Sequence, residues 1–127
     1  MFCTFQLEDL DLIDIIGALD YVTKKAAVFS RYNVDRYITA YGLCVNPEYR
    51  GRGIATEILK SRAKILKAFN LTITATVFTG IGSQTAAKKA GYEEVYEISY
   101  ADLEKILERF DFSKSLTKTL KLQALRL

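Results

Sequence analysis

The sequence predicts an α/β fold in which helices and strands alternate along the chain and pack in layers. Three observations carry that expectation. Apolar residues recur at helical spacing in four segments and at strand spacing in four others, and the two kinds take turns. The segment 37–45 is apolar or small on both alternating faces, as in a strand covered by helices on two sides. Between it and a long amphipathic stretch lies Arg50-Gly51-Arg52-Gly53, a glycine-rich hand-over from strand to helix.

The elements follow in order. Residues 10–29 carry Leu12, Ile13, Ile16, Leu19 and Val22 at intervals of three and four, which predicts an amphipathic helix. In 37–45 one face shows Tyr37, Thr39, Tyr41, Leu43 and Val45, and the other shows Ile38, Ala40, Gly42 and Cys44. Beyond the glycines, Ile54, Ala55, Ile58, Leu59, Ile65, Leu66 and Phe69 form one apolar helical stripe, with Glu57, Lys60, Ser61, Lys64 and Lys67 opposite. Residues 71–79 alternate Leu71, Ile73, Ala75 and Val77 with threonines, a β-branched strand pattern. Gly80 and Gly82 mark the turn out of it. A short helix over 83–90 ends at Gly91, suited to the left-handed position after a helix C-terminus. Residues 92–99 alternate imperfectly and are read as a strand, 101–110 as a second amphipathic helix, and 116–127 as a terminal strand.

Composition narrows the chemistry. A chain of 127 residues is expected to be a single domain, 1–127, long enough to bury a real core. A net charge of +3 is too mild to argue for nucleic acid, and a partner of that kind is not expected. With no histidine, Ser-His and Cys-His catalysis and histidine metal sites are excluded. Cys3 and Cys44 have no metal-ligand spacing, so no metal is expected, and Cys44 reads as a small buried hydrophobe. The start lacks the basic region of a signal peptide, and no stretch reaches the roughly 18 apolar residues of a membrane span. These features predict a cytoplasmic protein without membrane attachment.

The junction predicts an anion site. The first turn of a helix leaves up to about four N–H groups without an intrahelical partner, and the helix dipole adds positive charge there. Glycines let the backbone approach a ligand closely, so a phosphate-bearing cofactor fits. Other phosphate signatures fail: G-x-x-x-x-G-K-[ST] is missing, and Gly51-Arg52-Gly53 is followed by Thr56 rather than the third glycine of a dinucleotide fold.

Arg50-Gly51-Arg52-Gly53-Ile54-Ala55 fits the pattern Q/R-x-x-G-x-G/A and closely resembles the acetyl-CoA pyrophosphate loop of the GNAT superfamily of N-acetyltransferases. The Leu43-Cys44-Val45 strand end, Asn46-Pro47-Glu48-Tyr49, and the later Lys89-Ala90-Gly91-Tyr92-Glu93 match the same frame. Val28-Phe29, Ser83, and the run from Tyr96 to Leu103 resemble the insect arylalkylamine (dopamine-type) N-acetyltransferases. The resemblance covers roughly residues 10–127.

The resemblance implies a mixed, partly splayed β-sheet flanked by helices, here without the first strands and helices of the full fold. It implies acetyl-CoA as cofactor and a small arylalkylamine as acceptor. Leu43, Cys44 and Val45 would offer backbone groups to the pantetheine arm, and Arg50, Gly51, Arg52, Gly53, Ile54 and Ala55 would cradle the pyrophosphate. Ser83, with Thr79 beside it, would serve proton transfer to the leaving thiolate, while Ala87 stands where many relatives carry a tyrosine acid. An N-cap role for Ser83 remains an alternative. Neither Glu8 nor Glu48 matches the family's base. A non-catalytic acetyl-CoA-binding fragment and a basic nucleic-acid-binding module using Arg50 and Arg52 are the competing functions. The 37–45 strand, internal in the full fold, would show one bare edge, which predicts a homodimer or aggregation through that edge.

Overall fold

The computed structural model describes residues 9–107 and 117–127, and side chains from residue 16 onward within the first helix. In chain order the elements are helices α1 (Asp9–Ala26) and α2 (Val28–Tyr32), a 3-10 turn at Pro47–Tyr49, helix α3 (Ile54–Ala68), strand β1 (Ile73–Phe78), helix α4 (Ile81–Lys89), strand β2 (Glu93–Ser99), helix α5 (Tyr100–Leu107) and strand β3 (Thr119–Arg126).

The three strands form one antiparallel sheet in the order β1-β3-β2, so the last strand of the chain is the middle one. Alternation along β1 and β3 divides the core in two. Ile73 and Ala75 of β1 and Leu120, Leu122 and Ala124 of β3 face a cluster with Val22 of α1 and Leu103 of α5. The opposite face carries Phe78, packed with Leu59 of α3, Ala86 and Ala87 of α4, and Tyr92. Helices therefore cover both faces of the sheet, the mixed α/β layering that the sequence predicts.

Most predicted elements are present with shifted ends, and the differences have physical causes. The predicted helix over 10–29 is broken at Ala27, whose φ of 49° is left-handed, and it resumes as α2. Its buried positions are Ala18, Val22 and Ala26, four apart, whereas Ile16 is exposed; the side chains of Leu12 and Ile13 lie outside the described ones. In β2 the imperfect alternation is a β-bulge: Glu94 pairs with Gln123 and Tyr96 with Leu122, leaving Val95 as the extra residue. Both Val95 and Tyr96 can then pack on the α1/α5 side. The residues from 108 to 116, with the predicted end of the helix over 101–110 and the start of the last strand, lie outside the described residues.

The largest departure is 37–45, which is not a strand. Only Ile38 joins the sheet, as a parallel bridge to Thr74. Its N–H donates to the Ile73 carbonyl at 3.1 Å, and its carbonyl accepts from Ala75 N–H at 3.0 Å and from the Thr74 hydroxyl at 2.9 Å. Beyond Ile38 no backbone bond joins the segment to β1 among the described residues. Gly42, at φ 110°, turns the chain out of extended geometry, and Tyr41 is 86 % exposed. A two-sided apolar pattern makes a strand only where both edges and both faces find partners, and among the described residues β1 is the only strand that bonds to it. Cys44 is accordingly exposed, not a buried hydrophobe.

Helix α3 also differs from its predicted stripe. Leu59, Arg62 and Leu66 are buried, at the i, i+3, i+7 spacing of one face, while Ile54, Ile58, Ile65 and Phe69 are exposed along the shoulder. The buried Arg62 guanidinium donates through Nη1 to Thr76 Oγ1 at 2.9 Å. Beside it, the Tyr92 hydroxyl donates to the Leu59 carbonyl at 3.0 Å, and burial pushes that phenol above its ordinary pKa against the opposing charge of Arg62.

Gly91 ends α4 with φ 92°, and a Cβ there would make only ordinary contact with Leu125 at 3.9 Å. The left-handed backbone, not space, requires glycine. Gly91→Ala is expected to cost about 1 kcal/mol of unfolding free energy, read from urea denaturation, with an unchanged far-ultraviolet circular dichroism spectrum.

Candidate functional site

The parallel bridge between Ile38 and Thr74 sets the direction of two segments. From it, 39–45 and the rest of β1 run toward the same end of the molecule and diverge as they go. The Arg50–Gly53 loop and the Thr79–Ser83 turn, which open helices α3 and α4, therefore lie at that same end. Crevices outside the carboxyl ends of strands are where α/β folds place ligands.

The divergence leaves a polar edge. Ile73 C=O and Ala75 N–H point toward Ile38, so Ala75 C=O and the N–H and C=O of Val77 point the same way, into the opening. No partner from the described residues takes these groups. This is the splay that the sequence resemblance implies.

The loop is held by short-range chemistry. Asn46 caps the 3-10 turn, its side-chain oxygen accepting from Glu48 N–H at 3.0 Å, with Pro47 suited to the first position. Arg50 Nε donates to the Val45 carbonyl at 3.0 Å, closing the loop on the end of the diverging segment. Of the backbone groups expected to face a pantetheine arm at Leu43, Cys44 and Val45, the Val45 carbonyl is thus already engaged. Arg52 lies over the Tyr49 ring at 5.3 Å, a cation–π contact that carries its charge beside the loop.

Gly51 and Gly53 have φ of 81° and 76°, and a Cβ at either would meet nothing within 4 Å. Gly53 is the N-cap of α3, with no side-chain capping bond, and its carbonyl takes the first helical bond from Glu57 N–H at 3.1 Å. The N–H groups of Ile54, Ala55 and Thr56 make no hydrogen bond within the described residues. A partly exposed turn of unsatisfied donors, two glycines without side chains and two nearby guanidinium groups form an arrangement of the kind that suits an anion.

The Thr79–Ser83 turn is built differently. Its three successive carbonyls each accept from a side chain of a different kind: Phe78 C=O from Gln84 Nε2 at 3.0 Å, Thr79 C=O from the Tyr100 hydroxyl at 2.7 Å, and Gly80 C=O from the Ser83 hydroxyl at 2.9 Å. Burial raises the Tyr100 phenol above its ordinary pKa, which keeps it a proton donor to that carbonyl. Helix α4 begins at Ile81, with Gly80 as N-cap, so Ser83 sits in the first turn and is not the cap. Thr79 is exposed and Ser83 half-buried at the mouth of the same turn. Ala87 is fully buried among Leu59, Phe78 and Tyr92, so a side chain there is part of the core.

Sequence reasoning missed Gln84, Gln123, Tyr100 and Arg62. Arg62 had a legible signal, a charged residue between Leu59 and Leu66 at core spacing. The others had none, because their partners are carbonyls brought close only by the sheet. Among the described residues no group of acidic, cysteine or histidine side chains could hold a metal ion, and no helix is long and apolar enough to cross a membrane.

Comparison with known proteins completes the description. The sequence model of the acetyltransferase (GNAT) family matches residues 14–92. Among solved structures, a protein of the yellow fever mosquito Aedes aegypti assigned as arylalkylamine N-acetyltransferase 7 is 40 % identical, with a TM-score of 0.90 over 99 % of this chain and 53 % of its own. A mosquito arylalkylamine N-acetyltransferase-like protein, 5b, shares the fold at 22 % identity and TM-score 0.80, over 96 % of this chain and 58 % of its own. So does the polyamine N-acetyltransferase of Drosophila melanogaster, which forms N-acetylagmatine, at 19 % identity and TM-score 0.75, over 90 % and 55 %. A search of curated protein sequences returns no match. The chain spans between half and three-fifths of the length of these relatives. The family match runs through the cradle, α3, β1, α4 and the Gly91-Tyr92 junction, the same parts that geometry assembles at one end of the sheet, and this chain belongs to the GNAT acetyltransferase family.

Proposed function

We propose that the chain binds acetyl-CoA in the crevice between 39–45 and β1 and takes part in transferring its acetyl group to a small amine, an arylalkylamine first of all. The observation that carries the proposal is the uncapped N-terminus of α3 behind Gly51 and Gly53, at the same end of the sheet as the bare edge of β1. Family membership and the 40 % identical mosquito relative support the choice of donor and of amine class.

Acetyl-CoA, when bound, supplies the activated thioester that a neutral amine attacks. The residues of this chain fit such a ligand. The N–H groups from Gly51 to Thr56 bind the pyrophosphate charge, and the Arg50 and Arg52 guanidinium groups add to it. Ala75 C=O and Val77 N–H, with backbone groups near Leu43, orient an extended ligand as an added strand. Thr79 and Ser83 hold hydroxyls at the mouth of the α4 turn. The Ser83 hydroxyl rests on the Gly80 carbonyl, a weak hold from which it can relay the proton lost by the attacking amine to the departing thiolate, ending as the neutral hydroxyl.

A second reading, acetyl-CoA binding without turnover, has an observation in its favour: no carboxylate among the described residues is hydrogen-bonded to Thr79 or Ser83. Titration calorimetry with acetyl-CoA followed by a thiol-release assay with tyramine on the same sample separates the two. Binding with turnover supports transfer, binding alone supports the second reading, and salt-dependent RNA binding without acetyl-CoA affinity overturns both. The homodimer expected through the edge of 37–45 has no strand edge there, since that segment is not a strand, and self-association through the bare edge of β1 takes its place in the same proposal. Light scattering is expected to show dimers that acetyl-CoA disperses, because ligand and second chain compete for one edge.

A further inference from the structure

We infer that Gln84 is the positioning residue of the Thr79–Ser83 turn: its carboxamide makes the hydrogen-bond rung that the sheet lacks where β1 ends. This rests on the proposed role of the two hydroxyls and adds what fixes them.

The register of β1 and β3 shows the missing rung. Phe78 pairs with Lys121 at the end of the ladder, so one step further residue 80 would pair with Thr119. The chain instead leaves the sheet at Thr79 and enters α4, so the Gly80 N–H is not offered to the Thr119 carbonyl. Gln84 Nε2 donates to that carbonyl at 2.8 Å and to the Phe78 carbonyl at 3.0 Å. A primary amide has two N–H protons, and both are used. Because both partners are carbonyls, only the nitrogen of the amide can face them.

The backbone of the same residue is tied in as well. Gln84 N–H donates to the Gly80 carbonyl at 3.0 Å, and the Gln84 carbonyl accepts from Gln123 Nε2 at 3.3 Å. Gln84 is buried, and Gln123, 1 % exposed, keeps an oxygen without a partner. At a buried site each lost donor leaves a carbonyl unsatisfied and is costly. Gln84 thereby grips the carbonyl before Thr79 and the one after it, the same Gly80 carbonyl on which the Ser83 proton rests. The orientation of Thr79 and Ser83 follows from that grip, although Gln84 reaches neither hydroxyl.

The test uses Gln84→Met, which keeps the length and volume and removes the donors. Amide hydrogen exchange at residues 79–84 is expected to accelerate about tenfold while the rest of β1 is unchanged. In turnover, kcat is expected to fall about tenfold with KM for acetyl-CoA within twofold, since the cradle is untouched. The loss should vanish in a Ser83→Ala background, because Gln84 acts through the turn that carries that hydroxyl. Unaltered exchange, a loss confined to KM, or losses that multiply with Ser83→Ala would overturn the inference. If the parent chain binds acetyl-CoA without turnover, the catalytic reading fails, and the exchange measurement alone decides whether Gln84 holds the turn. Should Gln84→Met not fold, Gln123→Leu, which also removes the orphaned oxygen, is expected to give a smaller acceleration confined to the same residues; none would count against the inference.

Discussion

Replacing Leu122 by alanine is expected to lower the unfolding free energy by about 3 kcal/mol, the middle of the range for a fully buried leucine. Leu122 is 1 % exposed at the centre of β3, opposite Val77 of β1 and Tyr96 of β2. It packs in the cluster that joins α1 and α5 to the sheet. A cavity at that point loosens both rows of strand pairing at once, and the surrounding strands cannot collapse to fill it. Single domains have only about 5–15 kcal/mol in total, so the melting temperature should fall by roughly 10 °C in calorimetry. A change below about 1 kcal/mol would show that this side of the core is loosely packed. Because the middle strand is also the last one, removal of residues 119–127 should prevent folding altogether, read as loss of cooperative melting.

The second large effect is on ligand binding. Gly53→Glu is expected to weaken acetyl-CoA about 100-fold: a carboxylate roughly 5 Å from a phosphate charge costs about 3 kcal/mol at an effective dielectric of about 20. The side chain would enter open space, since nothing lies within 4 Å of a Cβ at Gly53. Gly53→Ala is the control. Its left-handed φ of 76° makes alanine cost about 1 kcal/mol in stability, without the charge. Arg50→Ala is expected to weaken binding about tenfold, through the lost charge and the released Val45 carbonyl, consistent with a charge-assisted contact. Calorimetric titration of the three variants separates repulsion from strain. Equal affinity for Gly53→Glu and Gly53→Ala would remove the pyrophosphate from this loop.

Much of the fold was legible because its signals are local. Helices α3 and α4, strands β1 and β3 and the stop at Gly91 follow from periodicity, β-branching and a glycine at a left-handed position. The glycine-rich entry to α3 was equally legible, since the left-handed backbone at Gly51 and Gly53 lies within six consecutive residues, Arg50 to Ala55. Where sequence reading failed, the deciding partner was distant. Residues 37–45 have a strand's composition but no second strand beside them among the described residues. Ile58 and Ile65 have a core residue's hydrophobicity but lie on the shoulder of α3, beyond the reach of the sheet. The N-cap alternative for Ser83 arose because the helix start was placed two residues late.

By itself the sequence determined the family, the alternation of elements and the glycine-rich entry to α3, all of which arise from interactions within a turn or two of chain. Only the tertiary structure decided that the C-terminal strand is central, that 39–45 parts from β1, and that Gln84 and Gln123 brace the turn beside it. The bracing by Gln84 and Gln123 depends on hydrogen-bonding groups that meet across 35 to 39 residues of sequence, the strand order on pairings equally non-local, and no local pattern records which carbonyl a sheet will leave unpaired.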